Sequence, residues 1–148
     1  MPELLLTVCC ALLGAAMVFD LRRREVPNAI PLALLGLFAL QFAVLDYRGM
    51  SPLWGHVITG AVLFAVGFAL FLMGALGAGD GKLMAAAGLW IGPADISSFL
   101  FGVGLLGLGF ALVCLLPLDA TRRLRDNIPF AVAIAPPAIA LLAQRAFS

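Results

Sequence analysis

The stretch LGAGDGKLMAAAG, residues 76–88, decides how the chain is read. Apolar residues run up to it from Val57 almost without a break. Then Gly77, Gly79 and Gly81 alternate around Asp80, Lys82 follows, and a shorter apolar run begins at Leu83. A carboxylate and an ammonium set between two apolar runs mark a boundary between two solvents.

Composition says what those solvents are. Hydrophobic residues make up 64% of the 148-residue chain and charged ones 11%, against about 25% charged in an average soluble domain. A soluble fold of this size buries too small a fraction of its area to hide that much apolar surface. The chain therefore faces a lipid bilayer. A net charge of +1 gives no reason to expect nucleic acid as a partner. Cys9, Cys10 and Cys114 form no CxxC pair, so zinc and dithiol chemistry lack their ligands and no metal is expected.

Apolar runs extend over Leu4 to Phe19, Val26 to Leu45, Val57 to Leu76, Leu83 to Ile91, Ile96 to Leu118 and Ile128 to Phe147. A spanning helix takes about 20 apolar residues, with about 17 as the lower limit. The second, third, fifth and sixth runs qualify outright, and the first is just short. The fourth does not: from Lys82 to Pro93 a helix covers roughly 18 Å, so it borders thinned bilayer or a wet cavity. Arg22, Arg23, Arg24, Lys82, Arg122, Arg123 and Arg125 fall in the odd-numbered loops, against Arg48 and Arg145 elsewhere. The positive-inside rule makes the odd loops cytoplasmic. The expectation is one all-α integral membrane domain over residues 1–148. It is a bundle of six transmembrane helices, the fourth short, with both termini extracytoplasmic. The first run has its arginines behind it, the order of a retained span and not of a cleaved signal. Gly60, Gly67 and Gly74, and the cluster Gly102, Gly104, Gly107 and Gly109, read as helix-packing positions.

Two carboxylates share an address. Asp20 ends the first span and Asp80 closes the third, so both belong at the cytoplasmic boundary, where a carboxylate is costly and functional by default. Each has a plainer reading: Asp80 as the N-cap of a helix starting near Gly81, Asp20 as a partner for Arg22, Arg23 or Arg24. Glu25, Asp119 and Asp126 lie among arginines and are explained by charge balance, although Asp126 would also suit a basic substrate. The glycines around Asp80 remove bulk and admit another backbone. A P-loop is excluded because Leu83 follows Gly81-Lys82 where Ser or Thr is required. His56, the single histidine, falls on the opposite side, against a nucleophilic triad. Two aspartates sharing one proton are suited instead to general acid–base hydrolysis.

With these residues in view, GAGDGKL at 77–83 resembles the GxGDxKL signature of the type IV prepilin peptidases, intramembrane aspartic peptidases. DLRRREVPN at 20–28 is similar to their other catalytic segment, and IPFAVAIAP at 128–136 to the segment that opens their last helix. The resemblance implies that Asp20 and Asp80 are the catalytic pair. Gly77, Gly79, Gly81 and Lys82 would shape the site, and Pro27, Asn28, Pro129 and Phe130 would support it. Glu25 and Asp126 are the candidate contacts for a leader. It further implies a multi-pass enzyme of the bacterial inner (cytoplasmic) membrane. It would cut prepilins after a glycine that ends a short basic leader, at the cytoplasmic face. Larger relatives carry a cysteine-bearing insertion and also methylate the new N-terminus. Here Leu21 to Glu25 is too short for one, so peptidase activity alone is expected, with no separate methyltransferase domain and no S-adenosylmethionine or other cofactor. The compact form looks like the peptidases of tight-adherence (Flp) pilus systems. Ala131 stands where many relatives have glycine. The alternatives from other classes are a small membrane transporter, for which two acids on one side provide no relay across the bilayer, and a non-catalytic pilus-assembly scaffold.

Overall fold

A computed structural model describes residues 2–23, 25–44, 53–115 and 130–147. Among them are six helices and no strand: α1 (Pro2–Arg23), α2 (Ala29–Val44), α3 (Leu53–Leu72), α4 (Ala78–Ile91), α5 (Ile96–Leu115) and α6 (Ala131–Phe147). α1, α3 and α5 are long and apolar enough to cross a membrane. α2 and α6 are apolar but have 16 and 17 residues, shorter than their runs suggest.

The helix ends explain these differences. α1, expected to fall short, reaches 22 residues because it continues past Phe19 through Asp20 to Arg23. Arg22 and Arg23 in its last turn suit the negative end of the helix dipole, and Arg23 lies over the Phe19 ring. α2 starts after Val26 because Pro27 disfavours helical angles in the residue before it. Its first turn closes through the Ile30 N–H on the Pro27 carbonyl at 3.0 Å and the Leu32 N–H on the Asn28 carbonyl at 3.2 Å. α3 ends where Gly74 takes a φ of 71°. There the Gly74 N–H meets the Phe71 carbonyl and the Ala75 N–H the Leu70 carbonyl, both at 2.9 Å, a left-handed glycine stop.

α4 is the axis of the molecule. It packs along α3, α2 and α6, while α1 packs on α6 and α2. Leu83, Ala87, Trp90 and Ile91 of α4 are buried with Leu13 of α1, Leu34 and Phe38 of α2 and Ile134 of α6. This 14-residue helix is thus shielded by protein on several sides. Its contact with α3 is close. A Cβ on Gly60 would meet the Leu89 side chain at 2.6 Å, and one on Gly67 would meet Gly81 Cα at 2.8 Å. Gly74 lies beyond α3 and takes no part in this packing. On α5, Gly102 alone among the four clustered glycines approaches a neighbour, at Pro137 of α6, while Gly104, Gly107 and Gly109 face open space.

The end of α4 remote from Asp80 is held by polar groups. The Trp90 indole N–H donates to the Leu34 carbonyl at 3.0 Å. Arg145 near the end of α6 donates to the Trp90 and Ile91 carbonyls and pairs with Asp95 at 2.6 Å. The two backbone bonds from Arg145 occupy carbonyls that the last turn of α4 leaves without intrahelical partners.

Candidate active site

Asp20 lies in the last turn of α1 and Asp80 in the first turn of α4, and both are buried, at 4% and 8% exposure. Both line one cavity of about 340 Å³, together with Glu25, Val26, Asn28, Gly77, Gly79 and Lys82. The two acids are 60 residues apart in sequence. α1 reaches the cavity because it runs on past Phe19, and α4 because Gly81 nests against Gly67 of α3.

The two carboxylates are held differently. Asp20 Oδ2 accepts a hydrogen bond from the Ala131 N–H at 2.9 Å, one of the N–H groups that the start of α6 leaves unpaired. Asp80 is the third residue of α4, and Gly77 is the N-cap, with no side-chain cap. Asp80 is therefore not the N-cap. Its carboxylate reaches back to the Gly77 backbone, the return half of a capping box. A Cβ on Gly77 would lie 2.8 Å from Asp80 Oδ2, so any side chain there would displace the acid. Asp80 Oδ1 is buried and has no hydrogen-bond partner among the described residues.

Burial first, then the negative charge of Asp20, push the Asp80 carboxyl up to about 7, against the opposing pull of the Gly77 hydrogen bond. A carboxyl raised this far is about half protonated at neutral pH, so it can present a proton where an ordinary aspartate cannot. One proton shared between two such groups is what general acid–base hydrolysis of an amide uses.

The surrounding residues take several positions. Gly79 lets α4 approach the α1–α2 connection, since a Cβ there would stand 3.2 Å from the Val26 carbonyl oxygen. Lys82 Nζ donates to Asn28 Oδ1 at 3.0 Å, bridging α4 to the start of α2. Pro27 supplies the carbonyl that opens α2, and Glu25 lies exposed on the cavity rim. The half-buried Phe130 carbonyl accepts from Ala133 and Ile134 at the start of α6. Pro129 and Asp126 lie outside the described residues. His56 is buried at the other end of α4, where Nδ1–H donates to the Leu89 carbonyl at 2.7 Å, nine residues and roughly 14 Å along the helix from Asp80.

Sequence reading missed two contributors. The Ala131 backbone N–H is invisible in a side-chain pattern. The Gly67–Gly81 contact was half visible, because Gly67 stood out by spacing and Gly81 by its place beside Asp80, but nothing linked them.

The family model described as the type IV leader peptidase family matches residues 7–112, a range that contains both aspartates. The prepilin leader peptidase/N-methyltransferase of Escherichia coli (strain K12) is 35% identical over 102 residues, covering 65% of this chain and 44% of the relative. The chain thus spans less than half the length of that relative. No solved structure matches it.

Proposed function

Because this chain belongs to the type IV leader peptidase family, we propose that it hydrolyses the leader from type IV prepilins, using Asp20 and Asp80. The observation that carries this reading is the pair of buried carboxylates lining one cavity, one of them with an oxygen that no described residue satisfies. The roles follow from their surroundings. Asp20, already an acceptor toward the Ala131 N–H, is the ionised base. Asp80, the acid pushed up to about 7, is the proton donor.

The substrate peptide enters where the glycines leave room and places its carbonyl oxygen at Asp80. Asp80 gives its proton to that oxygen as Asp20 takes one from water, and the hydroxide so formed attacks the carbonyl carbon. Collapse of the tetrahedral intermediate breaks the C–N bond. The proton held by Asp20 passes to the leaving nitrogen, and Asp80 recovers its own from the intermediate. The net reaction consumes one water and yields a carboxyl on the leader and a free amine on the mature chain.

The finer expectations belong to the same proposal. The chain forms a six-span bundle in the bacterial inner membrane, with the cavity toward the cytoplasm, a reading that the basic first loop supports by the positive-inside rule. Its substrates are Flp-type prepilins, cut after a glycine. The five residues between Arg23 and Ala29 are too few for an inserted cysteine-bearing segment, which supports peptidase activity without methyl transfer.

The test is co-expression with candidate Flp-type prepilins, reading leader removal by gel shift and N-terminal sequencing. A new N-terminus directly after the leader glycine is the expected result. Failure to cleave several such prepilins, with the protein folded in the membrane, would overturn the proposal and favour transport or scaffolding.

A further inference from the structure

α2 and α3 both pack along α4, and the space between them is a half-open apolar groove of about 590 Å³. Its floor is small: Gly60 and Ala61 of α3, Ala85 and Ala86 of α4. Its walls are bulky, with Leu35 on α2 and Phe64 on α3. Along α4 it runs from Lys82 to Leu89, roughly 10 Å or two helical turns. Small residues under bulky walls are the pattern that lets a further helix approach closely within a membrane.

The groove adjoins the cavity of Asp20 and Asp80. Asn28 and Lys82, which are hydrogen-bonded to one another, line both. They are also the groove's polar end, its remaining lining residues being apolar.

We propose that this groove seats the substrate segment immediately beyond the scissile bond, and its apolar lining over a small-residue floor calls for an apolar helix there. The inference rests on the prepilin-processing reading above and adds where the membrane-embedded part of the substrate lies. The Lys82 ammonium at the junction fixes direction. It repels a basic leader from the groove, so the leader turns away at the catalytic cavity and the uncharged segment enters between α2 and α3. The scissile bond then falls where the two spaces meet. The apolar contact along the groove contributes affinity that a leader alone lacks.

The test places a photo-crosslinking amino acid in the full chain at Leu35, at Val57 on the groove's far reach, or at Leu105 on the exposed face of α5 as control. Each is made in an Asp80→Asn background, in membranes containing a Flp-type prepilin. In parallel, Ala61→Trp fills the groove, and cleavage is compared on the full prepilin and on a soluble peptide ending a few residues past the glycine. Adducts to prepilin from Leu35 and Val57 but not Leu105 are expected. Ala61→Trp should slow full-prepilin cleavage by roughly tenfold or more while leaving the short peptide unaffected. Adducts only to lipid at Leu35 and Val57, or equal slowing of both substrates, while the unaltered chain still cleaves prepilin, would overturn the groove assignment alone. No cleavage by the unaltered chain together with no prepilin adduct would overturn the peptidase reading as well.

Discussion

Gly67 and Gly81 meet backbone to backbone, and a Cβ on Gly67 would stand 2.8 Å from Gly81 Cα. This contact between α3 and α4 sets how deeply the first turn of α4 is seated. Asp80 immediately precedes Gly81.

Gly67→Ala is therefore expected to push α4 away from α3, because the obstructing atom is backbone and cannot rotate aside. A cost of about 1–3 kcal/mol is expected from such overpacking, read as a lower Tm of the detergent-solubilised protein. Peptidase activity should fall with it. An unchanged Tm and unchanged cleavage would mean that the two helices separate freely.

Gly77→Ala separates chemistry from stability. Gly77 has a φ of −70° and a ψ of 147°, which alanine adopts without strain. Its new Cβ would meet the Asp80 carboxylate at 2.8 Å, and a side-chain end can swing away. The protein should keep its Tm but lose activity, by up to about 100-fold for a catalytic group displaced by an ångström.

The pH dependence has a definite sign. Burial and the Asp20 charge raise Asp80 to about 7, so its proton is present below that pH and lost above it. Activity should decline as pH rises through this region, with the alkaline limb belonging to the coupled pair and not to one residue. Folding follows the same direction. The raised acid favours the folded state while protonated, and this stabilisation is lost as pH rises through the folded-state value. Asp80→Asn should accordingly raise Tm relative to the unaltered chain above about pH 8, while abolishing cleavage. A fall in Tm there would contradict the assigned sign.

Arg145→Ala addresses the opposite end. The guanidinium serves the Trp90 and Ile91 carbonyls and the Asp95 carboxylate, far along α4 from the cavity. Its loss should cost about 1.5–3 kcal/mol, the range for hydrogen bonds to charged groups. Below the new Tm, the rate of leader-peptide cleavage should be unchanged. A rate defect in fully folded protein would couple the two ends of α4.

The break at residues 76–88 was legible in sequence because glycine and charge are rare in apolar surroundings, and the same contrast singled out Asp20. The short α4 also followed from its run length. Helix orientation within the bundle was not legible. α4 and α5 are both apolar, yet α4 is largely buried and α5 is mostly exposed, with Phe99 alone fully buried among its described side chains. In lipid the outer face is as hydrophobic as the core, so the alternation that betrays a buried face in water is lost. For the same reason the glycines of α5 looked equivalent to those of α3. The Asp20–Ala131 bond joins groups 111 residues apart in sequence through a backbone N–H that any residue but proline would supply.

The central claim is that Asp20 and Asp80 act as a pair, and single exchanges test it most directly. Purified protein, Asp20→Asn and Asp80→Asn would be compared on one prepilin, at equal amounts of folded protein, with the product's N-terminus sequenced. The account predicts cleavage after the leader glycine by the unaltered chain, and none detectable in either variant. Cleavage that survives Asp20→Asn or Asp80→Asn at near its original rate would contradict it.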